Sequence, residues 1–260
     1  MDEPRHSPPV PANPTFIGVI ALAGALVWAT SIAAGTWKHV KEKPFERTIN
    51  VTGSAKKRIT SDLIEWSATV EARSMDRTES YRTLKAQVGK TIAFLQGHGI
   101  KPADVFPQSA SFQELFSNEV SVVDKERTER QVPAGWLVEQ AVLIRSTDVA
   151  MVEKASREVT SLLEQGIAVR SAPPSYFYTK LGELKIEMLA AAATDARTRA
   201  QNIVKSAGGA TLGDLTDADM GVINVNPANS STTSWEGNND TSTLDKDIIT
   251  IVHVKFALQR

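Results

Sequence analysis

Cysteine is absent and histidine is scarce, with only His6, His39, His98 and His253. The first absence removes disulfides, thiolate nucleophiles and sulfur-ligated metals, and makes an oxidising compartment harmless to the chain. The second leaves few imidazoles to serve a serine nucleophile, and none is well placed. His6 and His39 flank a hydrophobic segment, His98 sits in a Gly-His-Gly helix stop, and His253 lies in the last strand on the face opposite Val252 and Val254. His98 therefore reads as an exposed turn residue and His253 as a solvent-facing or interface strand residue. An excess of one charge is also lacking, because 29 basic and 30 acidic side chains nearly cancel. That removes the positive field on which nucleic-acid binding relies, so nucleic acid is not an expected partner.

Motifs that carry chemistry are missing too. No GxSxG, HExxH, P-loop or paired-glycine nucleotide fingerprint occurs. Asp217, Asp219 and Gly221 (TDADMG) resemble the start of a calcium loop, but the third acidic position and the distant glutamate are missing, so a polar turn is the expectation. Gly208-Gly209 follows a helix instead of opening one and is a C-cap, not a phosphate site. Trp235, alone in a polar stretch, reads as an anchor folded back onto its own domain ahead of a partner hot spot. No catalytic residue, cofactor-binding residue or metal ligand is assigned, and the protein is not expected to be an enzyme. An acid-pair hydrolase has only the generic support that many carboxylates are present.

What the chain does have is ordinary globular composition, 42% hydrophobic and 23% charged, and one long apolar run. Residues 16–37 (FIGVIALAGALVWATSIAAGTW) carry no charge and match the ~20 residues needed to cross a bilayer. Trp37 lies where an interfacial anchor belongs, just before Lys38, His39, Lys41 and Lys43. The expected organisation is a tail over 1–15, an uncleaved signal anchor over 16–37 with the bilayer as its partner, a tether over 38–44 and one folded unit over 45–260. A cleaved signal peptide is the rival, since Ser31-Ile32-Ala33 offers small residues at a cut. Arg5 on one side faces Lys38, Lys41, Lys43 and Arg47 on the other, a bias that favours a cytoplasmic C-terminal part.

Residues 45–260 alternate strand-like and helix-like periods. Ile49 and Val51 alternate in one strand, and Ile64, Trp66, Ala68, Val70 and Ala72 share one face of the next. Asp76 with Glu79 forms a capping-box pattern ahead of Tyr81, Leu84, Val88, Ile92 and Leu95, and Gly97 and Gly99 stop that helix. Phe106, Ala110, Phe112 and Phe116 share one face of a following strand, and 124–130 (DKERTER) read as a hairpin tip. The outline then recurs. Trp136, Val138, Val142 and Ile144 form a strand, and Ser146 or Thr147 caps a helix through Val149, Val152, Val159 and Leu163 that ends at Gly166. A duplicated strand-helix-strand unit is one reading of this echo. A long alanine-rich helix runs through Leu181, Leu184, Met188, Ala192, Ala196, Ala200, Ile203 and Ala207, and residues 226–246 form a long polar loop. Ile248, Val252, Val254, Phe256 and Leu258 make the last strand. The fold class is α+β, a mixed or antiparallel sheet covered by helices.

Several of these segments resemble the SIMPL-domain family. Val51, Thr52, Gly53 and Ala55 are similar to its opening V-T-G-x-A/G segment, and Asp62 to the Asp that starts its second strand. Gly135-Trp136 stands where a Gly-Tyr pair is usual, and AAATDARTRA is similar to the family's Ala-x-x-Asp-Ala-Arg run. The resemblance implies an α+β domain exported to the periplasm or cell surface, in a family with immunogenic or stress-associated members, some of them large homo-oligomers. It supplies no catalytic residues. It also opposes the local charge count and favours an extracytoplasmic domain on the inner membrane. The leading expectation is a membrane-anchored structural or interaction protein that self-assembles and supports envelope integrity or stress tolerance. A peptide- or ligand-binding module is the alternative, and a hydrolase comes third.

Overall fold

The computed structural model describes residues 14–41, 47–123 and 126–259, with side chains over 22–37, 47–120 and 129–259. In chain order these form α1 (Pro14–Lys41), β1 (Thr48–Thr60), β2 (Leu63–Ser74), α2 (Arg77–Gly97), β3 (Val105–Pro107), β4 (Ser111–Val123) and β5 (Glu126–Ser146). There follow α3 (Val149–Glu158), β6 (Ala168–Ser171), β7 (Ser175–Phe177), α4 (Leu181–Ala207), β8 (Thr211–Pro227) and β9 (Asp245–Gln259). All pairings between these strands are antiparallel, so the fold is α+β with antiparallel sheets and four helices among the described residues.

The first sheet has six strands in the order β3-β5-β2-β6, with β4 also on β5 and β7 also on β2. Its apolar face follows the period-two pattern of β2, whose Ile64, Trp66, Ala68, Val70 and Ala72 are all buried. Leu84, Val88 and Leu95 of α2 and Val152 and Ala155 of α3 pack against them in one core. The units β2-α2-β3 and β5-α3-β6 interleave their strands, which is the split βαβ arrangement. The sequence echo between the two helices thus corresponds to a repeated topology. The buried Trp66 indole is satisfied, its N–H donating to Ser171 Oγ at 3.0 Å.

Helix ends follow their chemistry closely. Asp76 Oδ1 accepts the Glu79 N–H at 2.8 Å, but the Glu79 carboxylate turns to Arg82, so only half of the capping box closes. The cap of α3 is Asp148, which accepts from the Met151 N–H, and not Ser146 or Thr147. Ser146 is occupied elsewhere, donating to Asp104 at 2.7 Å. The expected single strand through Phe106 and Phe116 is two strands. Residues 108–110 break the ladder between Pro107 opposite Val142 and Ser111 opposite Glu139 on the same β5. Of the expected hairpin tip, 126–130 belong to β5, and 124 and 125 lie outside the described residues.

The second sheet is β1-β9-β8, and α4 covers its inner face. Val51, Val252, Val254 and Phe256 meet Ala192, Ala196 and Ala200, while Ile59, Val225 and Ile248 meet Leu184 and Met188. Ile203, expected on this face, is exposed, and Val204 continues the four-residue spacing instead. Contact is closest at Gly53, where an added Cβ would lie 2.2 Å from the Ala192 carbonyl oxygen and 2.6 Å from the Ala196 Cβ. Beside it, Asp195 Oδ2 accepts the Ser54 N–H at 2.8 Å on the open edge of β1. Asp62 accepts both the N–H and the hydroxyl of Thr179, at 2.7 Å each, and so fixes the approach to α4.

Strand β8 departs from expectation. The TDADMG run lies inside it and is not a turn, and Lys246 belongs to β9, so the long loop is confined to 228–244. Register shifts at three places along β8 break the alternation by which a strand is recognised. The helix α1 forms over the apolar run, but its side chains are described only over 22–37. Among the described residues no helix is long and apolar enough to cross a membrane.

Two substitutions test the packing. Leu84→Ala, at a fully buried site, is expected to cost ~2 to 5 kcal/mol in a denaturant titration. Gly53→Ala should cost at least the ~1 to 3 kcal/mol typical of overpacking, because the obstacle is helix backbone. An unchanged unfolding midpoint in Gly53→Ala would mean that α4 does not rest on β1.

Candidate functional site

With α4 on the inner face, alternation sends the other residues of the three-stranded sheet outward. Asn50, Thr52, Lys56 and Arg58 of β1 stand opposite Lys255, His253, Ile249 and Asp247 of β9. Across β9, Asp217, Asp219, Asn224 and Asn226 of β8 continue the same rows. One row therefore aligns Thr52, His253 and Asp219 over three strands. Thr52 Oγ1 and His253 Nδ1 are 3.0 Å apart, which fixes the imidazole, and no hydrogen bond to Asp219 accompanies it among the described residues.

The loop over 228–244 is built on buried polar groups. Asn226 donates to the Thr232 carbonyl at 2.6 Å and accepts from Asn238 at 3.0 Å, and Asn224 accepts the Ser234 N–H at 2.9 Å. Asn239 forms a parallel bridge to Val225. The buried Lys246 ammonium donates to the Asp240 carbonyl oxygen at 2.6 Å and to its carboxylate at 3.0 Å. Burial pushes the Asp240 carboxyl up, but hydrogen bonds from Ser242, Thr243 and Lys246 outweigh it and hold the group below the usual carboxylate range. Asp247 is lowered as well, first by its hydrogen bond from Arg58 at 2.9 Å, then by Lys56 at 3.0 Å. The Asn229 N–H adds a third donor to Asp247 at 2.8 Å from a residue at φ 69°, a left-handed conformation that asparagine tolerates.

This frame holds Trp235 away from the protein. It is 91% exposed, which corrects the expectation that it folds back onto its own domain. The buried asparagines tie the loop down at Thr232 and Ser234 before Trp235 and at Asn238 after it, so the indole projects between anchored segments. Below it lies a cleft of about 260 Å³ with Val222, Ile251 and Gly221 among its lining and Thr52, His253, Thr233 and Ser234 supplying polar groups. A second depression of about 350 Å³ shares Thr52 and His253 and adds Asn50, Asp217, Asp219 and Lys255.

The remaining sequence candidates lie apart from this place. His98 is not a free turn residue, since Nδ1 lies 2.8 Å from the Phe94 carbonyl oxygen and Nε2 2.9 Å from Glu158, joining α2 to α3. Gly208, at φ 69°, ends α4 as expected. His253 faces outward as expected, but its contact with Thr52 spans 201 residues and left no local signal. The asparagine-rich INVNPANSS run and the Lys246-Asp247 pair were the visible trace of a structured loop. No group of three or more potential metal ligands occurs among the described residues.

The two depressed carboxylates make a pH prediction. Each adds stability that is complete above the ordinary value of about 3.9 and is lost as pH falls through the lowered folded-state value. Thermal melts should therefore show a midpoint that declines below about pH 4, with a shallower decline in Asp247→Asn, which starts less stable at neutral pH. Equal slopes for the two proteins would place the acid sensitivity elsewhere.

The segments that carry the family resemblance meet in space. Gly53 and Ser54 contact Ala192, Asp195 and Ala196, and Asp62 holds Thr179. Gly135, at φ +105°, brings its strand so near β2 that a Cβ would lie 2.6 Å from the Ser74 carbonyl oxygen. Trp136 beside it shares the Arg77 guanidinium, 5.1 Å from its ring, with Phe112 at 4.7 Å. No curated protein matches the chain. Residues 49–247 match SIMPL, described as "Protein of unknown function (DUF541)", a span that takes in β1 through the start of β9. Carrying these motifs in contact and matching over most of its length, the chain belongs to the SIMPL family.

Proposed function

We propose that the protein is a membrane-anchored interaction module that self-associates on the extracytoplasmic side and supports envelope integrity or stress tolerance. The observation that carries this reading is the state of β8. Leu215, Ala218 and Met220 stand opposite Phe256, Val254 and Val252 on the helix-covered side of the sheet, yet all three are exposed. No strand pairs with the outer edge of β8 along 211–222 among the described residues. An open edge with an apolar face is a template for another chain, and proteins normally blunt such edges. The hairpin of β4 and β5 adds exposed Phe116 and Val120 where these strands pair only with each other.

Support for the anchor comes from the charge-free run 16–37 and from the helix it forms, on which Leu22, Val27, Trp28, Ile32 and Trp37 are all exposed. A helix apolar on its visible surface is matched to lipid. The outward orientation rests on the family resemblance and runs against the lysine count.

Light scattering of the full-length protein in detergent should give a protein mass above the 28.2 kDa of one chain. Leu215→Lys with Met220→Lys should return it to a monomer with an unchanged melting temperature. A wild-type monomer at every concentration would overturn self-association. Protease added to spheroplasts should digest the folded domain, and protection until lysis would reverse the orientation.

A further inference from the structure

We infer that the cleft between Trp235 and the outward face of the three-stranded sheet binds a neutral saccharide chain. Scattered exposed hydrophobic residues are ordinary, but Trp235 differs in two ways. Its loop is tied to the buried Asn224 and Asn226, so the cost of ordering the backbone that carries the indole is met in the free protein. It also borders a depression whose lining includes the apolar Val222 and Ile251 and the polar Thr52, Ser234 and His253. An apolar concavity with a few convergent polar groups is the usual form of a small-ligand site.

The walls narrow the ligand class. A nucleotide base could stack on the indole, but phosphates reaching the adjoining depression would meet two carboxylates, Asp217 and Asp219, against the single ammonium of Lys255, a net repulsion. An extended peptide binds by adding a strand to a free edge, and the Val225 to Asn239 bridge closes the β8 edge at the loop end of the cleft, leaving only Gly221 and Val222 of its lining on the open stretch. An acyl chain would strip water from Thr52, Ser234 and His253 without replacing its hydrogen bonds. A pyranose ring has a C–H face and a rim of hydroxyls. The face suits the indole, and the rim suits hydroxyl, imidazole and carboxylate groups that can donate or accept.

The polar groups are held ready for this. The Thr52 contact fixes His253 through Nδ1, and Nε2 has no partner among the described residues. Asp219, directly across from His253, makes no hydrogen bond or ion pair among them either. A carboxylate that accepts from ligand hydroxyls gives strong, directional contacts. Because the two depressions lie side by side with Thr52 and His253 as shared lining, linked sugars match the site better than a single ring.

The test uses the full-length protein in a zwitterionic detergent, since maltoside head groups are themselves sugars. Cellotriose and triacetylchitotriose are titrated by calorimetry, and ligand saturation transfer is followed by NMR. Saturable binding of at least one is expected, with a dissociation constant on the order of 1 mM or below. Trp235→Ala should weaken it by roughly tenfold or more, whereas Trp235→Phe retains an aromatic face and should retain most of the affinity. Ile186→Ala, at an exposed residue of α4, should change nothing. Melting temperature and oligomeric mass are recorded for every variant, so a lost site is read apart from lost folding or lost assembly. Absence of binding by both trisaccharides, or equal affinity in folded Trp235→Ala, overturns the proposal. Tighter binding of trilysine or adenosine monophosphate at the same site overturns the ligand class.

Discussion

Gly53 allows α4 to lie directly on β1, and the layout of the three-stranded half follows from that contact. The facing helix residues are Ala192 and Ala196, and the Asp195 carboxylate takes up the Ser54 N–H on the open edge of β1. That hydrogen bond, with the Arg199 guanidinium, holds the Asp195 carboxyl below its usual range. A helix seated so far toward β1 reaches β8 near its ends, at Leu212 and Val225, and leaves the middle of that strand uncovered. Three strands at ~4.8 Å spacing are wider than the contact stripe of one helix ~10 Å across. The exposure of Leu215, Ala218 and Met220 is therefore the other side of the close packing at Gly53.

The same contact separates what the family likeness speaks to from what it leaves open. Gly53, Asp62, Gly135, Asp195 and Ala196 are all engaged in holding backbone segments together. Each position has a steric or hydrogen-bonding reason to be the residue it is, and none of those reasons is chemical reactivity. Thr52, next to Gly53 in the same segment, instead points its side chain to the opposite face, where it meets His253. The polar frame under the loop is costly to assemble, because unsatisfied buried amides and ammonium groups are strongly unfavourable, and it is satisfied nearly throughout.

Legibility followed the strength of local periodicity. The β2 face, the α2 cap at Asp76, the alanine seam of α4 and the β9 alternation were readable, because burial on one side imprints a period of two or of three to four. Strand β8 was not readable, since its register shifts scramble the alternation and Gly213, Asp214, Asp217 and Gly221 look like turn residues. The cap of α3 was missed by one or two positions, because Ser146, Thr147 and Asp148 are all capable, and only the contacts made in the fold separate them: Ser146 donates to Asp104 while Asp148 accepts the Met151 N–H. The cleft was illegible for a different reason. Thr52, Asp219, Trp235 and His253 are distant in the chain, and their meeting is a property of sheet register and loop anchoring. Trp235 drew notice, but composition alone favours burial for tryptophan and gives no view of a loop whose interior is already filled by asparagine.

Chain length also limits how far the cleft lies from α1. β1 begins at Thr48, and Thr52 is four residues further along, ~13 Å at the rise of a strand. From Lys41, the last residue of α1, to Thr48 the chain can span no more than about 25 Å. A helix embedded in lipid would hold the Thr52, His253 and Asp219 row within a few nanometres of the head groups. A module bound there meets its ligands at an effective concentration set by the surface, so contacts too weak for a freely diffusing protein become sufficient. Several copies joined through β8 would compound the gain by presenting several clefts to one polymeric ligand. The exposed edge and the exposed indole, which rest on unrelated parts of the packing, would then act together at one membrane surface.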